Sequence, residues 1–172
     1  MMIEIQRSRQ TLRIQGFSYK STGKYFVTFC TNQRSCLFGN IDKGILHLNA
    51  PGKMVYNTII NISNMHLGVN INDFIVMPNH IHAIIIINNH VGPGHYLGGI
   101  VKSLKTYTTN CYIHGINHYG WQPFNEKLWQ RGYYERIIRD EHSLIKTRQY
   151  IINNPSNWNE DNFSNTDNNA DP

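Results

Sequence analysis

FIVMPNHIHAIIII, residues 74–87, is the stretch that decides the fold. An apolar run stops at Pro78-Asn79, a turn pair, and a second run that is nearly all isoleucine begins at once. Two strands separated by so short a turn pair antiparallel, and the isoleucine strand reads as buried and central. Its first residues break the apolar pattern. His80 and His82 are two apart, so on a strand their side chains leave the same face, while Ile81 points the opposite way into a core.

Working outward, the N-terminal side supplies VNINDFIVMP (69–78) as the partner strand. Before it, PGKMVYNTIINISNMHL (51–67) spaces Val55, Ile59, Ile62 and His66 three to four apart after Pro51, which predicts a helix ended near Gly68. KYFVTFCTN (24–32) is aromatic and β-branched and predicts another strand, followed by a turn and a short element, GILHLNA (44–50). On the C-terminal side, VGPGHYLGG (91–99) is a glycine-rich loop and residues 98–115 a helix. Residues 116–127 read as a loop, 128–140 as a strand, and 141–154 as a last helix stopped by Pro155. This order predicts an α+β chain: a ferredoxin-like antiparallel sheet with helices packed on one face.

Charge divides the chain. Residues 1–155 hold all 16 Lys and Arg and 7 of the 11 Asp and Glu, a formal +9, whereas residues 156–172 carry four acids and no Lys or Arg. The expected organisation is a basic arm over 1–23, with Arg7, Arg9 and Arg13, a folded domain over 24–155, and a disordered Asn- and Asp-rich tail over 156–172. A basic folded part favours a polyanionic partner, because neutralising phosphates releases counterions. No segment is apolar for long enough to span a bilayer, and the N-terminus lacks a secretory apolar stretch. Cys30, Cys36 and Cys111 are sparse and form no CxxC pair, which fits reduced thiols in the cytoplasm.

Two imidazoles on one strand face can share a metal ion; the alternative is a pair of polar side chains at a strand's wet end. Two histidines are too few for a closed structural zinc site, so a metal here would keep open positions for chemistry. His47, His66, His90, His95, His114, His118 and His142 lack this spacing. Among ten tyrosines, Tyr107, Tyr112, Tyr133, Tyr134 and Tyr150 are all open as nucleophiles by position. The last helix offers one helpful geometry: Tyr150 and Asn154 are four apart and share a face, and the Asn154 carbonyl oxygen suits a hard divalent ion.

FIVMPNHIHAIIII, GGIVKSLKTYTTN, LWQRGYYERIIRDE and RQYIINNP, in that order over roughly residues 20–155, resemble the single-tyrosine HUH transposases (IS200-like), above all the REP-associated tyrosine transposases. The resemblance implies a metal-dependent enzyme that cuts and rejoins single-stranded DNA through a 5′-phosphotyrosine link, leaving a free 3′-OH. It matches the family's HUH histidines to His80 and His82, its nucleophile to Tyr150, and the third ligand, often Gln in relatives, to Asn154. Mg²⁺ or Mn²⁺ is the implied ion, single-stranded or hairpin DNA the implied partner, and a monomer or a homodimer that exchanges its tyrosine helix the implied assembly.

Lys102 and Lys105 share a helix face, and Arg131, Arg136 and Arg139 are interleaved with Trp129, Tyr133 and Tyr134. Phosphate pairing plus base stacking is how single strands are held, so Lys102, Lys105, Arg131, Arg136, Arg139 and Trp129 are the expected DNA contacts. Two rivals stand beside this: a domesticated, non-catalytic binder of single-stranded or hairpin DNA, and a metal-dependent phosphodiesterase acting on small substrates.

Overall fold

A computed structural model describes residues 22–88 and 96–160. Four strands form one antiparallel sheet: β1 (Gly23–Cys30), β4 (Val69–Val76), β5 (His80–Ile87) and β6 (Tyr134–Ile138), in the order β4-β5-β1-β6. β2 (Gly39–Asp42) and β3 (Ile45–Leu48) make a separate hairpin. The helices are α1 (Ala50–Met65), α2 (Leu97–Tyr119) and α3 (Glu141–Asn153).

The alternation of β1 and β5 assigns each helix to a side. Tyr25, Val27 and Phe29, with Ile81, Ala83, Ile85 and Ile87, pack against α1 (Val55, Ile59, Ile62) and α2 (Ile100, Val101, Leu104). The intervening residues Phe26, Ile84 and Ile86 pack instead against Leu144 and Ile151 of α3. The expected single helical layer is therefore corrected: α1 and α2 cover one face and α3 crosses the other. Both faces of β5 are apolar, so either side can accept a helix.

Local chemistry sets the helix ends. Asn49 caps α1, accepting from Gly52 N at 2.9 Å. Asp140 caps α3, accepting from Ser143 N at 2.7 Å. α2 runs four residues beyond the expected Gly115 and stops at Gly120, whose φ of +65° is the left-handed terminator. Gly115 is there for packing: a Cβ would come within 2.1 Å of the Trp121 ring. The strand expected over 128–140 is also shorter. Trp129 makes only an isolated bridge to Thr31, and Gly132, with φ +84°, turns the chain before β6 starts.

α3 is tied to both edge strands. Arg148 Nε donates to Asp73 of β4 at 3.0 Å, and Arg136 of β6 donates to the Thr147 hydroxyl at 3.0 Å. After α3 the chain continues as turn and a 3-10 helix, Trp158–Glu160, so the boundary drawn at 155 falls within structured chain. The basic arm to residue 21 and the tail from 161 lie outside the described residues. Among the described residues, no helix is long and apolar enough to cross a membrane.

Candidate active site

β5 sends His80 and His82 from the face that α3 covers, at the end of the sheet where Thr31 follows β1. Both rings are fully buried, and their Nε2 atoms lie 3.0 Å apart. Each outer nitrogen has its own partner. His80 Nδ1 is 2.7 Å from Asn79 Oδ1, and His82 Nδ1 is 2.7 Å from the Thr28 hydroxyl on β1. Asn79 donates its amide to the Arg34 carbonyl at 3.0 Å, which fixes its oxygen toward His80. An amide oxygen only accepts, so His80 carries its proton on Nδ1 and its lone pair on Nε2.

The surroundings keep both rings neutral. Burial first, then His82 and the Arg34 charge, hold His80 well below the usual imidazole range, against a smaller opposing contribution from Asn154. Burial pushes His82 down to about 3. Neutral His82 can donate from Nε2 to His80. With its proton moved to Nδ1, where Thr28 can accept it, both Nε2 lone pairs would face one point.

α3 brings Tyr150 and Asn154 to that point. The Tyr150 hydroxyl is 3.4 Å from His82 Nε2. Phe26 orders the group: its ring lies nearly parallel to His82 at 5.4 Å and meets Tyr150 edge-on at 5.8 Å. Asn154 is 2% exposed; its side chain lies against His80, but its Oδ1 makes no well-aligned hydrogen bond among the described residues. A buried amide oxygen left unpaired costs about 1–3 kcal/mol, a cost that a bound cation would offset.

The donor set fits a hard divalent ion. Bonds of ~2.1 Å at right angles, as in octahedral Mg²⁺ coordination, put neighbouring donors about 3 Å apart. The two imidazole nitrogens at 3.0 Å meet that spacing, and the Asn154 side chain lies against His80. Among the described residues no group of three or more His, Cys, Asp or Glu is placed to hold a metal ion, so a third donor would have to be of another type, as the Asn154 amide oxygen is.

An open cleft of about 340 Å³ leads to the pair, lined by Phe26, Thr28, His82, Tyr134, Glu135, Arg136 and Tyr150. The Arg136 guanidinium sits 5.7 Å from the Phe26 ring centre, at the rim. Trp158 lies nearly parallel to His80 on the outside, ring centres 6.0 Å apart. Thr28, Asn79, Phe26 and Trp158 were not picked out from sequence. Asn79 read only as a turn residue, and Trp158 fell in the tail; a polar residue flanking an HxH strand was the one available signal.

The expected DNA contacts separate. Lys102, Arg131, Arg136 and Arg139 are exposed. Trp129 is not: it is 6% exposed, packs on Phe29 and Phe38, and spends its indole N–H on Thr108 at 3.0 Å. Burial removes it from the stacking set. Lys105 is also committed elsewhere. Its ammonium donates to the carbonyls of Gln130 and Gly132, and burial lowers its pKa to about 8. Tyr107 and Tyr112 belong to α2, on the other face of the sheet from Tyr150. Tyr112 donates to the Gln122 carbonyl at 2.9 Å. Of the weaker histidines, His90 and His95 lie outside the described residues, and His114 stacks on His118 with ring centres 4.2 Å apart.

Known proteins carry the same fold. The structure of a REP-associated tyrosine transposase bound to a REP hairpin matches with a TM-score of 0.56 at 21% identity, over 78% of this chain and 67% of that one. A Deinococcus radiodurans protein assigned to the transposases matches with a TM-score of 0.52 at 18% identity, over 82% of this chain and 95% of that one. An uncharacterized protein of Haemophilus influenzae is 34% identical over 89% of this chain and 91% of its own length. The family described as transposase IS200-like matches residues 19–154, from before β1 through the whole of α3. A match that takes in all six strands, the histidine pair and the tyrosine helix settles membership: the chain belongs to the IS200-like transposase family.

Proposed function

We propose that this protein cuts and rejoins single-stranded DNA, with Tyr150 as the nucleophile. The observation that carries the proposal is the convergence of the Tyr150 hydroxyl on His82 at 3.4 Å, beside a buried imidazole pair 3.0 Å apart. His80, His82 and the Asn154 carbonyl would hold Mg²⁺ or Mn²⁺, which when bound polarises a phosphoryl oxygen and orients the leaving group. The phenol oxygen of Tyr150 attacks the scissile phosphorus. A Tyr–O–P bond forms, the P–O3′ bond breaks, and the phenolic proton leaves through the open cleft while the 3′ oxygen takes one from water. The 5′-phosphotyrosine keeps the energy of the phosphodiester, so a later 3′-OH can reverse the step and join strands without ATP.

Binding follows from the rim. Arg136 at the rim pairs with phosphates, exposed Tyr134 offers a stacking surface in the cleft, and the exposed Lys102, Arg131 and Arg139 would add phosphate contacts elsewhere on the surface. The DNA partner is single-stranded or hairpin DNA, in line with the REP hairpin held by one protein of the same fold. His80, His82, Tyr150 and Asn154 come together within one chain, which supports a monomer as sufficient for cleavage. The test is an end-labelled hairpin oligonucleotide incubated with Mn²⁺ and run on a denaturing protein gel: a labelled band at the protein's mass is expected. Cleavage without such an adduct would point to water as the nucleophile and to a phosphodiesterase instead.

A further inference from the structure

We propose that His114 and His118, one turn apart near the end of α2, form a metal site of their own, for a borderline divalent ion such as Zn²⁺ or Ni²⁺. Their rings face each other with centres 4.2 Å apart, against 4.5 Å for His80 and His82. Metal–nitrogen bonds of ~2.0–2.1 Å at a tetrahedral angle put two imidazole centres about 5 Å apart, so a small swing of two exposed side chains seats an ion between them.

The residues between them set the geometry. His114-Gly-Ile-Asn-His118 places the histidines at i and i+4 on one helical face, the spacing by which a helix offers two imidazoles to one zinc ion. Gly115 is buried where any side chain would strike the Trp121 ring, and Ile116 packs on the main core. The Trp121 N–H donates to the Gly115 carbonyl at 3.3 Å, and Gly120 ends the helix just beyond the pair. The backbone under both histidines is therefore fixed before an ion arrives, and binding costs only the rotation of two side chains. Tyr119 meets His114 edge-on at 5.6 Å and flanks it.

Chemistry selects the ion. Imidazole suits Zn²⁺, Ni²⁺ and Cu²⁺, whereas Mg²⁺ and Mn²⁺ favour oxygen donors. α2 contains no Asp or Glu, so neither ring is placed to pair with a carboxylate of its own helix. His118 lies in the last turn, where the helix dipole favours positive charge. Cys111 stands one turn before His114, yet among the described residues no group of three His, Cys, Asp or Glu is placed to hold a metal ion, so water fills the remaining positions. In a zinc-protease helix a general-base Glu follows the first histidine; here that position is Gly115, so the site binds an ion without hydrolysing a substrate. An ion held across residues 114–118 staples the last turn of α2, which leads into Trp121.

The test is calorimetric titration of full-length, tag-free protein with Zn²⁺ and, separately, Ni²⁺. The His114→Ala/His118→Ala variant should bind one equivalent fewer than wild type, whatever number the active site takes. Each single variant should lose the same equivalent, and His47→Ala, at an exposed histidine of β3, should lose none. All three histidines are exposed, and thermal melts in EDTA check that the variants fold. Zn²⁺ at a hundredfold excess over its Kd should raise the Tm of wild type by about 5–10 °C more than that of the double variant. Equal stoichiometry or an equal shift in the two proteins would overturn the site, and so would loss of the equivalent in His47→Ala. Mn²⁺ titrations separate this site from the catalytic pair: the double variant should bind Mn²⁺ as wild type does, and a lower Mn²⁺ count would overturn the assignment to a borderline ion.

Discussion

Replacing Thr28 with valine removes one hydroxyl and almost no volume, in a strand where valine is at home. Thr28 is 3% exposed, and its oxygen lies 2.7 Å from His82 Nδ1. The variant leaves that nitrogen buried without its partner, a loss of about 1–3 kcal/mol. For a chain of this size about 1 kcal/mol moves Tm by roughly 2–4 °C, so the metal-free protein should melt some ~2–12 °C lower. The larger effect falls on the metal. Without the acceptor at Nδ1, His82 loses what holds its proton away from Nε2, and Mn²⁺ affinity should drop about 10–100-fold. Circular-dichroism melts in EDTA and Mn²⁺ titrations followed by electron paramagnetic resonance measure the two quantities. A variant that melts like wild type and binds Mn²⁺ equally well would refute the argument that Thr28 orients His82.

Three further outcomes are expected. His80→Ala should abolish cleavage while leaving DNA affinity near wild type, because phosphate contacts elsewhere carry binding; normal cleavage on the labelled-oligonucleotide gel would remove His80 from the metal site. Metal-free protein should lose stability as pH falls below 6.5, because the unfolded histidines take up protons that the buried rings refuse, down to about pH 3 for His82. The slope is at most ~1.4 kcal/mol per pH unit for each ring, and urea midpoints that stay flat from pH 6.5 to 4.5 would contradict it. Single-stranded or hairpin DNA should outcompete plain duplex, with affinity falling steeply with salt in filter-binding assays; a preference for duplex would contradict the cleft as a single-strand site.

The parts of the fold that follow a period were legible in the sequence. Alternation places His80 and His82 on one side of β5, and the 3.6-residue spacing of Val55, Ile59 and Ile62 identifies the buried face of α1. The side on which α3 packs was not legible, because Ile84 and Ile86 are as apolar as Ile81 and Ile85, and a strand apolar on both faces gives no sign of which helix goes where. Gly115 misled for a related reason: a helix-interior glycine required by the Trp121 ring looks, in sequence, like a helix end. Trp129 among arginines resembles a stacking platform until its distant partner Thr108 is in view. The supports of the histidine pair divide the same way. Asn79 adjoins His80 in the chain, but Thr28 is 54 residues from His82, and only the β1–β5 register brings them together.

The most direct test of the account is the covalent adduct in Tyr150→Phe. That change removes only the attacking oxygen and keeps the ring that meets Phe26 and His82, so folding and DNA binding should persist. An end-labelled oligonucleotide with Mn²⁺, resolved on a denaturing protein gel, should give a labelled protein band for wild type, Tyr107→Phe and Tyr134→Phe, and none for Tyr150→Phe. A band that survives in Tyr150→Phe and vanishes in one of the others would contradict the account, moving the nucleophile to that residue and α3 away from the chemistry.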